Sequence, residues 1–594
     1  MRKFLMLFAA LLCTPLIMQA QGGKGNLHGS LIDASTGQAI RKANVILTQG
    51  GRFVTASSVN MNGDYQVNGV VPDNYDVSLG IPGRGNVPVT RVDIRDNETT
   101  TLNIMVSEDY VCADGMPFPE INTETYKYIK ENDFIKVSAD PVSVFSSDVD
   151  AASYGVVKSF VQTRTKMPPK YITRIEEIIN YFDYSYPAGD GSHLLSVCTE
   201  FSDCPWNPAT HLLQIGLTTR PGDPGKTQKN NLVFLIDVSG SMDDPLKLPL
   251  VKTSLKILLD QLSGRDKVAI VVYAGFSGIA LASTPVSKKE LIIQKIDALY
   301  PGGYTAGSAG ITLAYEVAAA NFITGGNNRV ILVTDGDFNV GVTSDAELVD
   351  LISSRRNSGI YLTILGFGMG NYQDNKMEEL SNAGNGNYYY INDKDEANRF
   401  LAQGVKGMLY TLAKDVKFKV EFNPAKVSEY RLIGYENRKL EDQDFADVTK
   451  DAGDIGMDHT VTALYEIRLN NTGATGVDQM RYQSSQMRTT DAVNNELACV
   501  HISYIDIATS EAGTDSVAVV HDYREWTRAS ENFRLAACAA MYGMLLNHSK
   551  YLLTGDFAKV LTEMQKLKST DDRQSFIQLI LDTIKVKAEQ DQRK

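Results

Sequence analysis

Apolar residues follow distinct patterns along the chain. Over residues 26–107 they alternate with polar ones: Tyr75, Val77, Leu79 and Ile81 point one way, and Leu102, Ile104 and Val106 repeat the pattern later. Period-two alternation marks half-buried strands. Asn62-Gly63-Asp64 between two such runs is a hairpin signal. Short strands joined by turns predict a small β-sandwich here. From residue 231 the pattern changes. Leu232 to Ile236 is a continuous apolar run, as a strand buried on both faces requires. Residues 249–262 carry a helical period, with Pro249 suited to the first turn. Residues 268–272, 330–333 and 361–365 read as further strands, and 288–299, 309–321, 346–354 and 397–412 as helices. Strands alternating with helices predict a doubly wound, mostly parallel sheet.

The flanks of this middle region carry their own pattern. Residues 151–165 and 172–182 read as helices, broken by Pro168-Pro169. Leu195, Val197, Thr199 and Phe201 read as a strand, as do Leu213, Ile215 and Leu217. After the middle region, Val416, Phe418, Val420 and Phe422 alternate, as do Val461, Ala463, Tyr465, Ile467 and Leu469; Val500, Ile502 and Tyr504 add another strand. Beyond Trp526 the pattern is helical. Both flanks hold strands but neither holds many. The expectation is one shared sandwich, with the middle domain inserted and 195–217 pairing with 415–505.

Length and composition bound the rest. At 594 residues the chain calls for three or four domains. Hydrophobic residues at 43% and charged residues at 22% exclude a largely disordered, collagen-like or polytopic membrane chain. A net charge of −13 argues against nucleic-acid binding, which runs on clustered Lys and Arg. Arg2 and Lys3, an apolar stretch over 4–18 and Met18-Gln19-Ala20 read as a signal peptide over residues 1–20. An apolar stretch of about 15 residues is short for a membrane span, and no transmembrane stretch follows it. Cys13 is a possible lipid acceptor, but Ala10-Leu11-Leu12 before it lacks the small residue expected at −1. Export permits disulfides. Of the remaining cysteines, Cys112, Cys198, Cys204, Cys499 and Cys538, only Cys198 and Cys204 make an obvious candidate pair; the rival reading is small buried hydrophobes.

In doubly wound sheets ligands bind beyond the carboxyl ends of the strands. The first strand of the middle region ends in Asp237-Val238-Ser239-Gly240-Ser241-Met242, and a later one in Thr334-Asp335-Gly336-Asp337. Between them lies Gly302-Gly303-Tyr304-Thr305-Ala306-Gly307. This set, D-x-S-x-S, a Thr in a Gly-rich loop and T-D-G, resembles the von Willebrand factor type A domain. The resemblance implies a metal-ion-dependent adhesion site (MIDAS) at Asp237, Ser239, Ser241, Thr305 and Asp335, with Asp337 a weaker alternative to Asp335. A hard cation such as Mg²⁺, with Mn²⁺ or Ca²⁺ as alternatives, takes oxygen ligands. Neutral hydroxyls leave it under-neutralised, and in that family a partner's carboxylate fills the open position. Nothing in the set serves as a base to activate water, which weighs against an enzyme.

Two further resemblances cover most of the remainder. GSLIDASTGQAIRKANVILTQ and NGDYQVNGVVPDNYDVSLG resemble the carboxypeptidase regulatory-like domain, a transthyretin-like sandwich without catalytic residues. SDVDAASY, PP and RIEEIINYF before the middle domain, with EYRLIGYENR and HTVTALYEI after it, resemble a family of bacterial envelope proteins of unknown function. Asp148 and Asp150 of the first motif read as helix caps for the segment starting at Ala151. The expected organisation is a signal peptide over 1–20, a β-sandwich over 26–107, a helical and β module over 108–228, a type A domain over 229–412, and a β then helical module over 413–594. The fold class is multidomain α/β plus β: a doubly wound sheet flanked by β-sandwich modules, with a helical C-terminal segment. The seven His show no metal spacing, and there is neither a P-loop nor a nucleophile elbow. The expected function is non-enzymatic: an exported protein of the periplasm, cell envelope or exterior that binds a protein partner presenting Asp or Glu, with membrane association possible. The alternative is an envelope scaffold with a structural metal, recognition falling to the sandwich modules.

Overall fold

The computed structural model describes residues 24–33, 39–40, 43–49, 52–81, 85–106, 126, 128–147, 150–170, 172–189, 193–220, 228–274, 277–302, 307–336, 345–368, 373–447, 452–470 and 495–593. The expected signal peptide, Cys13, Cys112, Asp148, Tyr304, Thr305 and Asp337 lie outside the described residues. The chain divides into two compact units, residues 1–122 and 123–594. Among the described residues no helix is long and apolar enough to cross a membrane.

The first unit is a sandwich of two small sheets. One orders Asp64–Val70, Gly25–Asp33 and Thr99–Thr101, with Ile104–Val106 also on Gly25–Asp33; the other orders Arg52–Ser58, Asn44–Gln49, Asp73–Ile81 and Gly85–Ile94. Alternation holds: Tyr75, Val77 and Leu79 are buried with Leu27, Leu31, Val45 and Leu47. The hairpin expected at Asn62-Gly63-Asp64 does not form. Arg52–Ser58 and Asp64–Val70 lie in different sheets, so this turn crosses between them. Asn60 Oδ1 accepts from the backbone N–H of Asn62 at 2.8 Å and of Asp64 at 2.9 Å, and Gly63 supplies φ of +89°. Such Asx bonding makes a local turn without demanding that the flanking strands pair.

In the second unit the doubly wound sheet runs Ser277–Pro285, Lys267–Tyr273, Asn230–Asp237, Asn327–Thr334, Ile360–Phe367, Tyr388–Ile391. All neighbours are parallel except Ser277–Pro285, an antiparallel edge. The two central strands, Asn230–Asp237 and Asn327–Thr334, are buried at every residue, which is why they read as unbroken apolar runs. The sequence pattern passed over both edge strands. It also read 397–412 as one helix, where a π-turn at Arg399–Gln403 and Gly404 precede the short helix Val405–Leu409.

The flanks form one sandwich of two six-stranded sheets. One orders Lys439–Leu440, Val142–Ser146, Thr411–Phe422, Glu496–Asp506 and Ala512–Val520, with Gly453–Gly456 also on Thr411–Phe422; the other orders Tyr523–Arg524, Leu195–Asp203, His211–Thr219, Thr460–Leu469, Val427–Ile433 and Ile135–Lys136. The expected pairing across the insertion is present, with Ile215 opposite Ala463; a strand the sequence pattern passed over, Val142–Ser146, adds a second crossing, with Phe145 opposite Phe418. Aromatics fill the space between the sheets. Phe145 stacks on Phe418 with ring centroids 4.9 Å apart, and Phe422 stacks on Tyr430 at 4.2 Å. Helices Glu531–Leu546, Phe557–Met564 and Asp571–Arg593 follow, the first packing on Ile175–Ile179 and on Thr460–Leu469.

Two expectations on the flanks are corrected here. Cys198 and Cys204 are free, not bridged. Both belong to an extended run at Leu195–Asp203 and just beyond, and six residues of strand span about 20 Å, far outside disulfide reach. Asp150 caps no helix: Ala151 holds the N-cap of Ala152–Lys158 without a side-chain bond. Instead Asp150 is buried, accepting from the Tyr388 N–H at 2.7 Å and pairing with Arg438 at 3.2 Å. Beside it Arg174 grips Asp374 through both terminal nitrogens, at 2.5 and 3.1 Å, and pairs with Glu177, whose Oε2 accepts from the Ser153 N–H at 2.7 Å. The sequence motifs of the flank are thus the buried ionic joint between the inserted domain and the sandwich.

Candidate metal centre

Strand Asn230–Asp237 ends on a fully buried carboxylate, and the chain then folds back on it. Asp237 Oδ1 accepts from the Ser239 N–H at 2.7 Å. Ser239 is extended, with ψ of 165°, and a 3₁₀ turn at Gly240–Met242 brings the Ser241 hydroxyl to 3.0 Å from that of Ser239. The Val238 N–H donates to Tyr273 O at 3.0 Å, and Val238 O accepts from the Gly302 N–H at 2.7 Å. These bonds tie the loop to the neighbouring strand end and to the start of the Gly-rich segment. One strand over, Asn327–Thr334 delivers Asp335, also fully buried. The Gly336 N–H donates to Thr334 Oγ1 at 3.1 Å, and Gly336 takes φ of +99°, which turns the chain away and leaves Asp335 behind.

Four of the five expected ligands, Asp237, Ser239, Ser241 and Asp335, therefore stand on adjacent strand ends of one sheet. Thr305 lies outside the described residues, between Gly302 and the helix Gly307–Ala320. Ser241 is exposed and Ser239 buried, so the hydroxyl pair runs from the carboxylates to the surface.

The electrostatics of this set fit a cation. Burial, then the nearby Asp335 charge, pushes the Asp237 carboxyl up to about 7. Asp237 Oδ2 is buried without a hydrogen bond of good geometry among the described residues, although the Tyr273 hydroxyl is close enough to ease its charge. Two buried carboxylates close enough to raise each other's charge cost are expensive unless positive charge joins them. Among the described residues no group of three His, Cys, Asp or Glu side chains is arranged to hold a metal ion. The donors are two carboxylates and hydroxyls, the oxygen-only set that suits a hard divalent ion.

Sequence reasoning missed one participant. Lys247, in the loop before helix Leu248–Gln261, brings Nζ to 2.9 Å from Asp335 Oδ2 with its side chain only 9% exposed. Its stem lies across Gly368, at the end of strand Ile360–Phe367. Gly368 has φ of +74°, and a Cβ there would sit 2.4 Å from Lys247 Cε. The only sequence signal is a Lys placed six residues after Ser241, ahead of the Pro-bearing helix start.

A cavity of about 290 Å³ lies at the far side of the inserted domain, against the sandwich, lined by Arg329, Tyr389, Gly404, Asp454 and His459 among others. Arg329 stands near the start of the strand that ends at Asp335, so this cavity is at the opposite end of the sheet from the carboxyl ends.

Comparisons with known proteins agree with this architecture. The profile of the von Willebrand factor type A domain matches residues 231–403, and that of the carboxypeptidase regulatory-like domain matches 26–107. Profiles described as "von Willebrand factor" and "Uncharacterized protein YfbK, C-terminal" match 120–214 and 407–586. "Uncharacterized protein YfbK" of Escherichia coli (strain K12) is 38% identical over 469 residues, covering 77% of this chain and 80% of that protein. Inter-alpha-trypsin inhibitor heavy chain H4 of Homo sapiens is 29% identical over 163 residues, covering 26% and 16%. Among solved structures, a von Willebrand factor type A protein from Catenulispora acidiphila aligns with a TM-score of 0.39 at 15% identity, over 67% of this chain and 91% of that one. Proximal thread matrix protein 1 from the mussel byssus, with a zinc-occupied MIDAS motif, aligns with a TM-score of 0.25 at 20% identity, over 30% and 48%. With a type A domain inserted between matching flanks and this identity over four-fifths of the relative, the chain belongs to the YfbK family.

Proposed function

We propose that Asp237, Ser239, Ser241, Thr305 and Asp335 hold a divalent cation, Mg²⁺ in first place, through which the protein binds an Asp or Glu side chain of a protein partner in the bacterial envelope. The observation that carries this reading is the pair of buried strand-end carboxylates with serine hydroxyls leading outward. When bound, the cation supplies a Lewis-acidic position for one carboxylate oxygen. The chain's own part is to hold the oxygens still. The Ser239 N–H fixes Asp237, Gly336 turns the chain so that Asp335 stays at the strand end, and the exposed Ser241 marks the open side. The signal-like residues 1–20 support placement outside the cytoplasm, and a donor set of hydroxyls and metal-facing carboxylates supports binding over catalysis.

The test is a pull-down from envelope extract with the mature protein in Mg²⁺, in EDTA, and as Asp237→Ala, each sample first checked for folding. A partner retained only with Mg²⁺ and the intact site is the expected result. A second reading makes the metal structural and gives recognition to the front sandwich. It is favoured by that unit's exposed apolar side chains Phe53, Met61 and Val71, and it expects a partner indifferent to EDTA and to Asp237→Ala.

A further inference from the structure

We propose that the cavity at the amino ends of the inserted domain's strands binds a small organic carboxylate, its acid group held by Arg329 and its apolar body by Tyr389 and Phe400. This site is separate from the strand-end carboxylates and needs no metal. Five arginines are buried among the described residues: Arg174, Arg329, Arg399, Arg431 and Arg438. Arg174 pairs with Asp374, Arg399 with Asp572, Arg431 with Glu466 at 2.7 Å, and Arg438 with Asp150. Arg329 has no ion pair among the described residues. Its Nη1 donates to Thr363 Oγ1 at 2.6 Å, its Nε is buried without a partner, and its guanidinium carbon lies 5.5 Å from the centre of the Tyr361 ring. Asp454 is felt only from beyond ion-pair distance, and burial lowers the Arg329 pKa from the ordinary arginine value. A buried charge is costly until an anion or a full set of hydrogen bonds offsets its lost hydration. Four of the five arginines carry that anion within the chain, and Arg329 presents its guanidinium to a cavity instead.

That cavity holds about 290 Å³. A single water occupies about 30 Å³ of liquid, so the space is on the scale of a small molecule. Asn382 Oδ1, also on the wall, is a second buried atom without a partner. Orphaned polar groups of this kind are what a bound molecule satisfies. Exposed Asp183, Lys406 and Asp458 line the cavity too, so it reaches solvent. Near the guanidinium the wall turns aromatic: the Tyr389 and Phe400 ring centroids are 4.6 Å apart. Phe400 stands on the π-turn Arg399–Gln403, a wide turn of the sort that recurs at functional sites. Gly404 and Gly407 follow it and leave the space open. A planar guanidinium fork matches a carboxylate, and the rings cover an apolar body attached to it. An inorganic anion would use the fork and leave the rings idle.

The experiment is calorimetric titration of the whole chain in EDTA with acetate, hexanoate, phenylacetate, the neutral phenylacetamide and inorganic phosphate. Wild type is compared with Arg329→Met and Gly407→Leu after thermal melts show each is folded. Arg329→Met removes the fork. Gly407→Leu leaves Arg329 in place and fills the cavity, since a Cβ at Gly407 would stand in ordinary contact, 3.6 Å from His459 Nδ1 and from Met457 O; it carries the test alone if Arg329→Met does not fold. The expected result is saturable binding of hexanoate or phenylacetate to wild type, tighter than acetate or phosphate and absent with phenylacetamide. Each variant should weaken that binding at least about tenfold, as loss of a charge-assisted contact or of the space itself requires. No saturable binding of any of the three acids to wild type overturns the proposal, as does binding that either folded variant leaves unchanged. Phosphate binding as tight as that of the acids overturns the assignment of a carboxylate. None of these outcomes bears on the metal reading, because EDTA is present throughout.

Discussion

Replacing Arg174 with Met removes the cation from the joint between the inserted domain and the sandwich. Its guanidinium is 5% exposed and touches three carboxylates: Asp374, Glu177 and, at 3.5 Å, Glu378. Their side chains are exposed by only 2%, 1% and 8%. After the change, Arg438 still stands 3.5 Å from Glu378, but it also serves Asp150. Breaking a buried pair by removing one partner costs about 3–5 kcal/mol, most of it the penalty of the stranded charge. With several acids stranded at once, the upper half of that range is expected. Urea unfolding followed by tryptophan fluorescence is the assay, since both tryptophans, Trp206 and Trp526, belong to the second unit. The double variant Arg174→Met with Asp374→Asn relieves one stranded charge. It is expected to be less unstable than the two single losses summed, by at least about 1 kcal/mol of coupling. A loss below about 1 kcal/mol for Arg174→Met, or strict additivity in the cycle, would refute the reading of this cluster as a joint.

Other expectations follow from the same coordinates. Burial and then Glu436 push the Glu176 carboxyl from its ordinary 4.5 up to about 8, and Oε2 has no hydrogen-bond partner among the described residues. The unfolded chain releases that proton near its ordinary pKa and the folded chain keeps it to about 8. Stability should therefore fall as pH rises through that window and level off above it; Glu176→Gln should flatten the slope in thermal melts across the window, and an unchanged slope would count against it. Gly63→Ala forces a Cβ to 2.8 Å from Leu31 O at a φ of +89°. It is expected to lower the front unit's melting transition by an amount equivalent to about 1–3 kcal/mol while the second unit's transition stays put in calorimetry. Non-reducing peptide mapping of the protein should find Cys198 and Cys204 as separate thiols; a cross-linked peptide would mean that the Leu195–Asp203 strand is not formed.

Much of the inserted domain was legible because its central strands are buried on both faces. Leu232 to Ile236 can hardly be anything else, and a strand so placed must end at the rim, where Asp237 stands. The edge strands were illegible for the converse reason. Ser277–Pro285 is half in water and mixes small and polar residues, so its identity comes from pairing with Lys267–Tyr273, not from its own pattern. Asp150 misled for a related reason. A carboxylate ahead of a helix looks like a cap, and only tertiary folding reveals Arg438, 288 positions away, as its partner. Lys247 was hidden because its role depends on Asp335 and Gly368, which come from two other strand ends. The D-x-S-x-S run was visible because its geometry is local: one Asx bond and one 3₁₀ turn bring its oxygens together.

The way the inserted domain is attached has a mechanical consequence. Its chain arrives from His211–Thr219 and departs into Thr411–Phe422, one strand in each sheet of the sandwich. Neither is an edge strand: the first lies between Leu195–Asp203 and Thr460–Leu469, the second between Val142–Ser146 and Glu496–Asp506. A tug on the face that carries Asp237 and Asp335 divides between two anchors. Each anchor resists along its length through hydrogen-bond ladders on both sides, so the rows must shear together and cannot be unzipped one bond at a time. Tension delivered by a captured partner would thus spread across both layers of the sandwich before any single strand came free.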